Sequence, residues 1–202
     1  YADGTHEVVK SDLDWRTSGG PLVFNSIYTS EHYDARLEQP GWSSPGFDDS
    51  AWGGVMYRGA PSQRVTAQQT VPIRNVTEYR PRSVRKLDER SYLYDFGQNM
   101  AGVTKLRLRG EAGTQLRLIH AERLREDGHA DLSNIDVYFR PTDKDDLFQT
   151  DVVTLSGRDD EFMPRFNYKG FRYVEVVADR PVELSAENLT AYAMHSDVTP
   201  VG

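Results

Sequence analysis

Asp95, Gln98 and Asn99 crowd into "YDFGQNMAG" (Tyr94 to Gly102), where they are interleaved with Gly97 and Gly102. Carboxylate and amide groups this dense could act on a substrate, or could bond their own backbone. The second use needs short polar side chains and residues free to take positive φ; Asp95, Asn99, Gly97 and Gly102 supply both. The stretch, with Gln98 at its centre, therefore reads as a structural turn leading into the strand-like "VTKLRLR". Acid–base cleavage of an acetal would need two carboxylates flanking the bond. Asp95 and Glu122 fall on neighbouring predicted strands, but among 31 Asp and Glu such a pair carries no weight alone. No catalytic residue is assigned.

Other chemistries find less support. A nucleophile elbow would show "GxSxG", which is absent. His6, His32, His120, His129 and His195 have no metal-ligand spacing and no "HExxH"; His120, on the inward face of its strand, reads as a satisfied core histidine. "TDKDD" (Thr142 to Asp146) and "RDDE" (Arg158 to Glu161) are acidic enough for calcium but lack the EF-hand pattern. "GQNMAG" has neither the Lys-Ser/Thr nor the helix of a phosphate loop. No metal or cofactor is expected. Rings that stack on sugar faces beside hydroxyl-binding carboxylates form a carbohydrate site. Tyr33, Asp34, Trp42 and Trp52 are the group of that kind, against the alternative that "PGFDDSAW" packs Trp52 under a turn.

The elements that would position these residues are strands. Thr104, Leu106 and Leu108 alternate with Lys105, Arg107 and Arg109; beyond "GEAGT", Leu116, Leu118 and His120 alternate with Gln115, Arg117 and Ile119. Two period-two runs across a five-residue, Gly-bearing loop predict an antiparallel hairpin. A second hairpin is predicted at "FNYKGFRYVEVV", turning at Lys169-Gly170. "DVVTLSG" and "ENLTAYAMH" are further strands, and no long helical stripe occurs. The expected fold is all-β, an antiparallel β-sandwich of jelly-roll-like type. Residues 1–60 read as the C-terminal part of a preceding β-domain or as an extended segment, with Ala60 to Val76 leading into a sandwich over 61–198. Arg125 to Asp146 is long for a structureless loop, which points to function or to a neighbour.

Composition narrows the partners. The 38% hydrophobic and 11% aromatic content suffices for a core, while 24 Lys and Arg against 31 Asp and Glu give a net charge of −7. An acidic chain without a basic run is a poor match for phosphate backbones, so nucleic acid is not expected. No apolar run could cross a bilayer and no targeting segment is present, so no membrane partner is expected. The opening "YADGTHEVVKSDLDW" reads as a hairpin already under way, which suggests an excised piece. The compartment stays open, with export of the parent protein as one expectation. The absence of cysteine excludes disulfides but fixes no compartment.

"YLYDFGQNMAGVTKLRLRGEAGTQLRLIHAERLREDG", "PRFNYKGFRYVEV" and "AYAMHSDVTPVG", in that order, resemble bacterial α-L-rhamnosidases of glycoside hydrolase family seventy-eight. "DLDWRTSGGPLVFNSIYTSEHYDARLEQPGW" with "FDDSAW" resembles the end of their N-terminal β-domain. The resemblance implies a concanavalin-like sandwich over 61–198 and a linker beginning at 199–202. It also implies an (α/α)6 barrel elsewhere in the parent chain that carries the carboxylates for inverting release of terminal L-rhamnose. The fragment alone is then inactive, its partners being that barrel and a rhamnose-containing glycan. Arg125–Asp146 is expected to reach toward the barrel and shape the rim of its pocket. A carbohydrate-binding module and a structural or adhesive β-domain are the competing readings.

Overall fold

The computed structural model describes residues 1–60, 62, 64–141 and 146–199. The expectations placed on residues 200–202 and on Thr142 to Asp145 fall outside the described residues. Two compact units emerge. The smaller comprises Tyr1–Gly20 with Gln39–Gln68; the larger comprises Pro21–Glu38 with Gln69–Gly202.

The smaller unit is mostly loop. Among the described residues its regular structure is one short antiparallel pairing of β1 (Arg16–Thr17) with a second two-residue strand, Gly53–Gly54. Chain rich in Gly, Pro and Ser has little to bury, so polar contacts hold it. The Trp52 indole donates to Gln39 Oε1 at 2.7 Å, and the Arg16 guanidinium donates to the Asp49 carbonyl at 3.1 Å.

In the larger unit, chain order runs through β2 (Leu22–Asn25), β3 (Glu31–Asp34), then, counting Gly53–Gly54 as β4, β5 (Ile73–Tyr79) and β6 (Ser83–Lys86). Next come β7 (Ser91–Arg109), β8 (Gln115–Ala121), β9 (Arg123–Leu124) and β10 (Ala130–Asp131). Then follow β11 (Thr150–Thr154), β12 (Asp159–Phe162), β13 (Lys169–Ala178) and β14 (Leu189–Ser196). One ten-stranded sheet has the order β2-β3-β11-β8-β13-β7-β14-β5, with β6 and β12 also on β7. Among the described residues its pairings are antiparallel except that of β3 with β11.

The sheet curls into a sandwich because β7 serves both layers. Its first half lies between β13 and β6; its second half pairs with β14 and β12. The alternation is as expected: Thr104, Leu106 and Leu108 are buried, as are Leu116, Leu118 and His120. The predicted hairpin is not formed. β7 and β8 do not pair, since β13 lies between them in the sheet, and "GEAGT" carries the chain from one layer to the other. Both apolar faces then meet in one core with Phe96, Phe171, Val174, Leu189 and Phe162. The second predicted hairpin is also replaced: Lys169-Gly170 opens β13, a single ten-residue strand. Leu22–Asn25 and Glu31–Asp34, within the segment read as preceding the sandwich, are strands of this same sheet.

Candidate functional site

"YDFGQNMAG" lies inside β7, so the polar stretch is a bulge in a continuous strand and not a turn ahead of one. Met100 faces Phe171 and Asp95 faces Tyr173, leaving four residues of β7 opposite Arg172 alone. Gly97 takes φ 76° there. Asp95 accepts from the Gly97 amide at 2.6 Å and from the Arg172 guanidinium at 2.9 and 2.8 Å. Those bonds, that of Arg172 foremost, hold its carboxyl below the usual carboxylate range. Both oxygens are engaged and the group is a poor proton donor. Asn99 is exposed and donates to Glu122 at 3.0 Å; Gln98 is exposed. Gly102 answers a different need: a Cβ there would come within 2.0 Å of the Tyr192 carbonyl oxygen on β14.

The sugar-like residues divide between the two units. Tyr33 and Asp34 end β3 in the larger. The Tyr33 hydroxyl donates to Glu38 and its ring packs on Phe162 at 5.3 Å; burial, then the Glu38 carboxylate, push its phenol up. Asp34 accepts from the Arg36 amide at 3.0 Å and from its guanidinium at 2.9 and 2.7 Å, which caps the short 3-10 helix Ala35–Leu37. In the smaller unit Trp52 packs on Phe47 and spends its indole N–H on Gln39, whereas Trp42 is 63% exposed. Of the acidic stretch "RDDE", Asp160 accepts from Ser156 and Glu161 pairs with Lys105 and Arg107. Among the described residues no three His, Cys, Asp or Glu side chains are grouped to hold a metal.

A buried polar network that the sequence did not disclose lies where β3, β11, β8 and β13 run side by side. Lys169 Nζ donates to Asp151 Oδ1 at 2.7 Å and to Asn167 Oδ1 at 2.6 Å, with Asp151 and Lys169 almost fully enclosed. Asp151 Oδ1 also takes the Glu31 amide at 2.9 Å, while its Oδ2 meets no donor among the described residues. Glu31 accepts from the Arg165 and Phe166 amides at 2.8 and 2.6 Å and from Asn167 at 3.4 Å. Burial pushes its carboxyl up against the pull of those amides. His120, enclosed next to Phe171, is held down to about 4, by burial first and by the Lys169 charge second. Its Nδ1–H donates to the Gln149 carbonyl at 3.2 Å, and Nε2 faces the Thr104 hydroxyl at 2.9 Å. Gln149 sits at φ 53° to bring that carbonyl in. Glu31 and Asp151 are separated by 120 residues, so only the sheet brings them together. The readable signal is a charged residue at an inward strand position, as in "TDVVT" and "YKGF".

Within Arg125–Asp146, described residues make contacts with the sheet. β9 and β10 form a small ladder, Glu175 accepts from His129 and from the Ala130 amide, both at 2.7 Å, and Asp136–Tyr138 make a 3-10 turn. Thr29 donates to Asp146, joining the far end of the segment to the β2–β3 turn. No helix is long and apolar enough to cross a membrane among the described residues.

These features define a class: a β-sandwich whose buried charges are bonded to one another beneath its loops. The family described as "Bacterial alpha-L-rhamnosidase concanavalin-like domain" matches residues 85–195, and "Alpha-L-rhamnosidase N-terminal domain" matches residues 1–77. The chain belongs to the bacterial α-L-rhamnosidase family. It is 41% identical over 200 residues to an α-L-rhamnosidase of Streptomyces avermitilis, covering 97% of this chain and 18% of that protein. It is 32% identical to one of Formosa agariphila, covering 100% of this chain and 21% of the relative. The solved structure of the Streptomyces avermitilis α-L-rhamnosidase complexed with L-rhamnose superposes with a TM-score of 0.84 at 40% identity, covering 98% of this chain and 18% of the other. That of the α-L-rhamnosidase from Dictyoglumus thermophilum gives 0.83 at 35%, covering 98% and 21%. The chain thus spans about a fifth of the length of the relatives it matches.

Proposed function

We propose that this chain is the non-catalytic β-sandwich region of an α-L-rhamnosidase. The parent enzyme hydrolyses terminal L-rhamnose from glycosides at an (α/α)6 domain elsewhere in the polypeptide, and the sandwich supports that domain by packing. The observation that carries this reading is the match of nearly the whole chain to about a fifth of each full-length relative. The site chemistry agrees with it. Asp95 is bound to Arg172, Asp34 to Arg36, and Asp151 to Lys169, and none of them is left to serve as acid or base. The test is hydrolysis of a chromogenic α-L-rhamnoside by the parent enzyme and by this chain at equal concentration. Activity is expected from the parent alone; turnover by the chain would sink the proposal.

A sugar-binding role has one observation in its favour, the exposed ring of Trp42. Titration with L-rhamnose decides it. Saturable heat that disappears in Trp42→Ala would support a binding module, and no heat would remove it.

A further inference from the structure

We infer that the loop surface built by the β2–β3 turn and the loop before β13 is where a further domain of the parent polypeptide docks, with Tyr28, Phe166, Tyr168 and Ile27 as its anchors. This rests on the packing role proposed above and specifies its site. Tyr28 is 85% exposed, Ile27 69%, and Phe166 and Tyr168 57% each. A ring offers about 150–250 Å² when fully buried, so these side chains present on the order of 300–500 Å² of apolar surface. That is the size at which a patch on a lone domain stands out as an interaction surface.

The loops are also held unusually firmly for chain that carries exposed rings. Glu31, at the foot of the β2–β3 turn, grips two successive amides of the other loop, Arg165 and Phe166, and the side chain of Asn167. Lys169 fixes Asn167 from below while bonding Asp151, which in turn holds the Glu31 amide. Enclosing a carboxylate and an ammonium is costly unless they are fully bonded. Here the network ties the two ring-bearing loops together, so the loop backbone is pre-ordered and less loop entropy is lost on docking.

The occupant follows from two facts. Lys169, Asp151, Glu31 and Asn167, beneath the rings, are bonded to one another, and the side chains left exposed above them include four large apolar ones, which suit an apolar protein face. In addition, about four-fifths of each relative's length lies outside the part this chain matches, so an enzyme of that size has ample further chain to cover it.

Hydroxyl-radical footprinting of the full-length parent enzyme tests this, with each residue's rate normalised to its intrinsic reactivity. Tyr28, Phe166 and Tyr168 are expected to be oxidised several-fold more slowly than their exposure here demands. Phe166→Ser/Tyr168→Ser in the parent is expected to lower its melting temperature and raise labelling on the covering domain; Tyr28→Ser is the alternative should that variant fold poorly. Full labelling of the three rings with protection instead around Val71 and Ile73, on the β5 side, would overturn this surface while leaving the packing role intact. Full labelling over the whole chain would overturn both. Protection that vanishes on dilution with a halving of mass would assign the surface to a second copy and overturn the proposal.

Discussion

Lys169→Met probes the buried network in isolation. Methionine matches the length of the lysine stem, so packing changes little, but Asp151 keeps its enclosed carboxylate without its cation. Removing one partner of an enclosed ion pair costs about 3–5 kcal/mol, and both side chains here are at most 2% exposed. The Glu31 amide still donates to Asp151 Oδ1, which places the expected loss near the lower figure, about 3 kcal/mol. Lys169→Met/Asp151→Leu should recover part of it. The unpaired charge is then gone, and what remains is the Glu31 amide without its acceptor and Asn167 Oδ1 without the lysine donor, about 1–3 kcal/mol each. Urea unfolding followed by far-ultraviolet circular dichroism is the assay, because all three tryptophans lie in the smaller unit and the strands lie mainly in the larger. A cost under about 1 kcal/mol for the single substitution, the range of exposed ion pairs, would mean that Asp151 and Lys169 are not a desolvated pair.

Stability should fall on acidification through the range set by His120. Its folded value is held to about 4 against an ordinary 6.5, so between those values the unfolded chain binds the extra proton. Stability therefore rises with pH across the window, and going from pH 7 to pH 5 should cost about 2 kcal/mol. Glu31, raised by burial, acts in the opposite direction above the ordinary glutamate range; denaturant unfolding of wild type and His120→Gln at both pH values isolates the histidine term, which the variant should lack. Gly102→Ala should prevent folding or cost well over Gly97→Ala. The first drives a methyl into the Tyr192 carbonyl on a paired strand; the second meets positive φ, at about 1–3 kcal/mol, and a movable Arg82 side chain. Expression yield and melting temperature rank them, and equal effects would contradict the close approach of β7 and β14. Leu118→Ala should cost about 2–5 kcal/mol in urea unfolding, whereas Arg117→Ala on the opposite face should change little.

Side-chain alternation was legible, and strand pairing was not. Leu106 and Leu108, like Leu116 and Leu118, announce one apolar face per strand. A buried face is equally satisfied whether the next strand lies beside it or across the core, and β7 and β8 take the second arrangement. The Gly-bearing loop between them could serve either. Lys169-Gly170 shows the same ambiguity: a turn-like dipeptide opens a strand because Lys169 finds Asp151 inside the fold and the strand pairs Gly170 with Ala101. Gly97 was readable as a residue needing positive φ, but whether that φ served a turn or a bulge depended on β13. The network of Glu31, Asp151 and Lys169 was out of reach, since parallel pairing of β3 with β11 joins segments far apart in the chain.

Scanning calorimetry of the full-length enzyme and of a form lacking this region tests the supporting role most directly. The catalytic domain is expected to melt several degrees lower without the sandwich, or to cease folding. An unchanged catalytic-domain transition, with rhamnosidase activity retained, would contradict it.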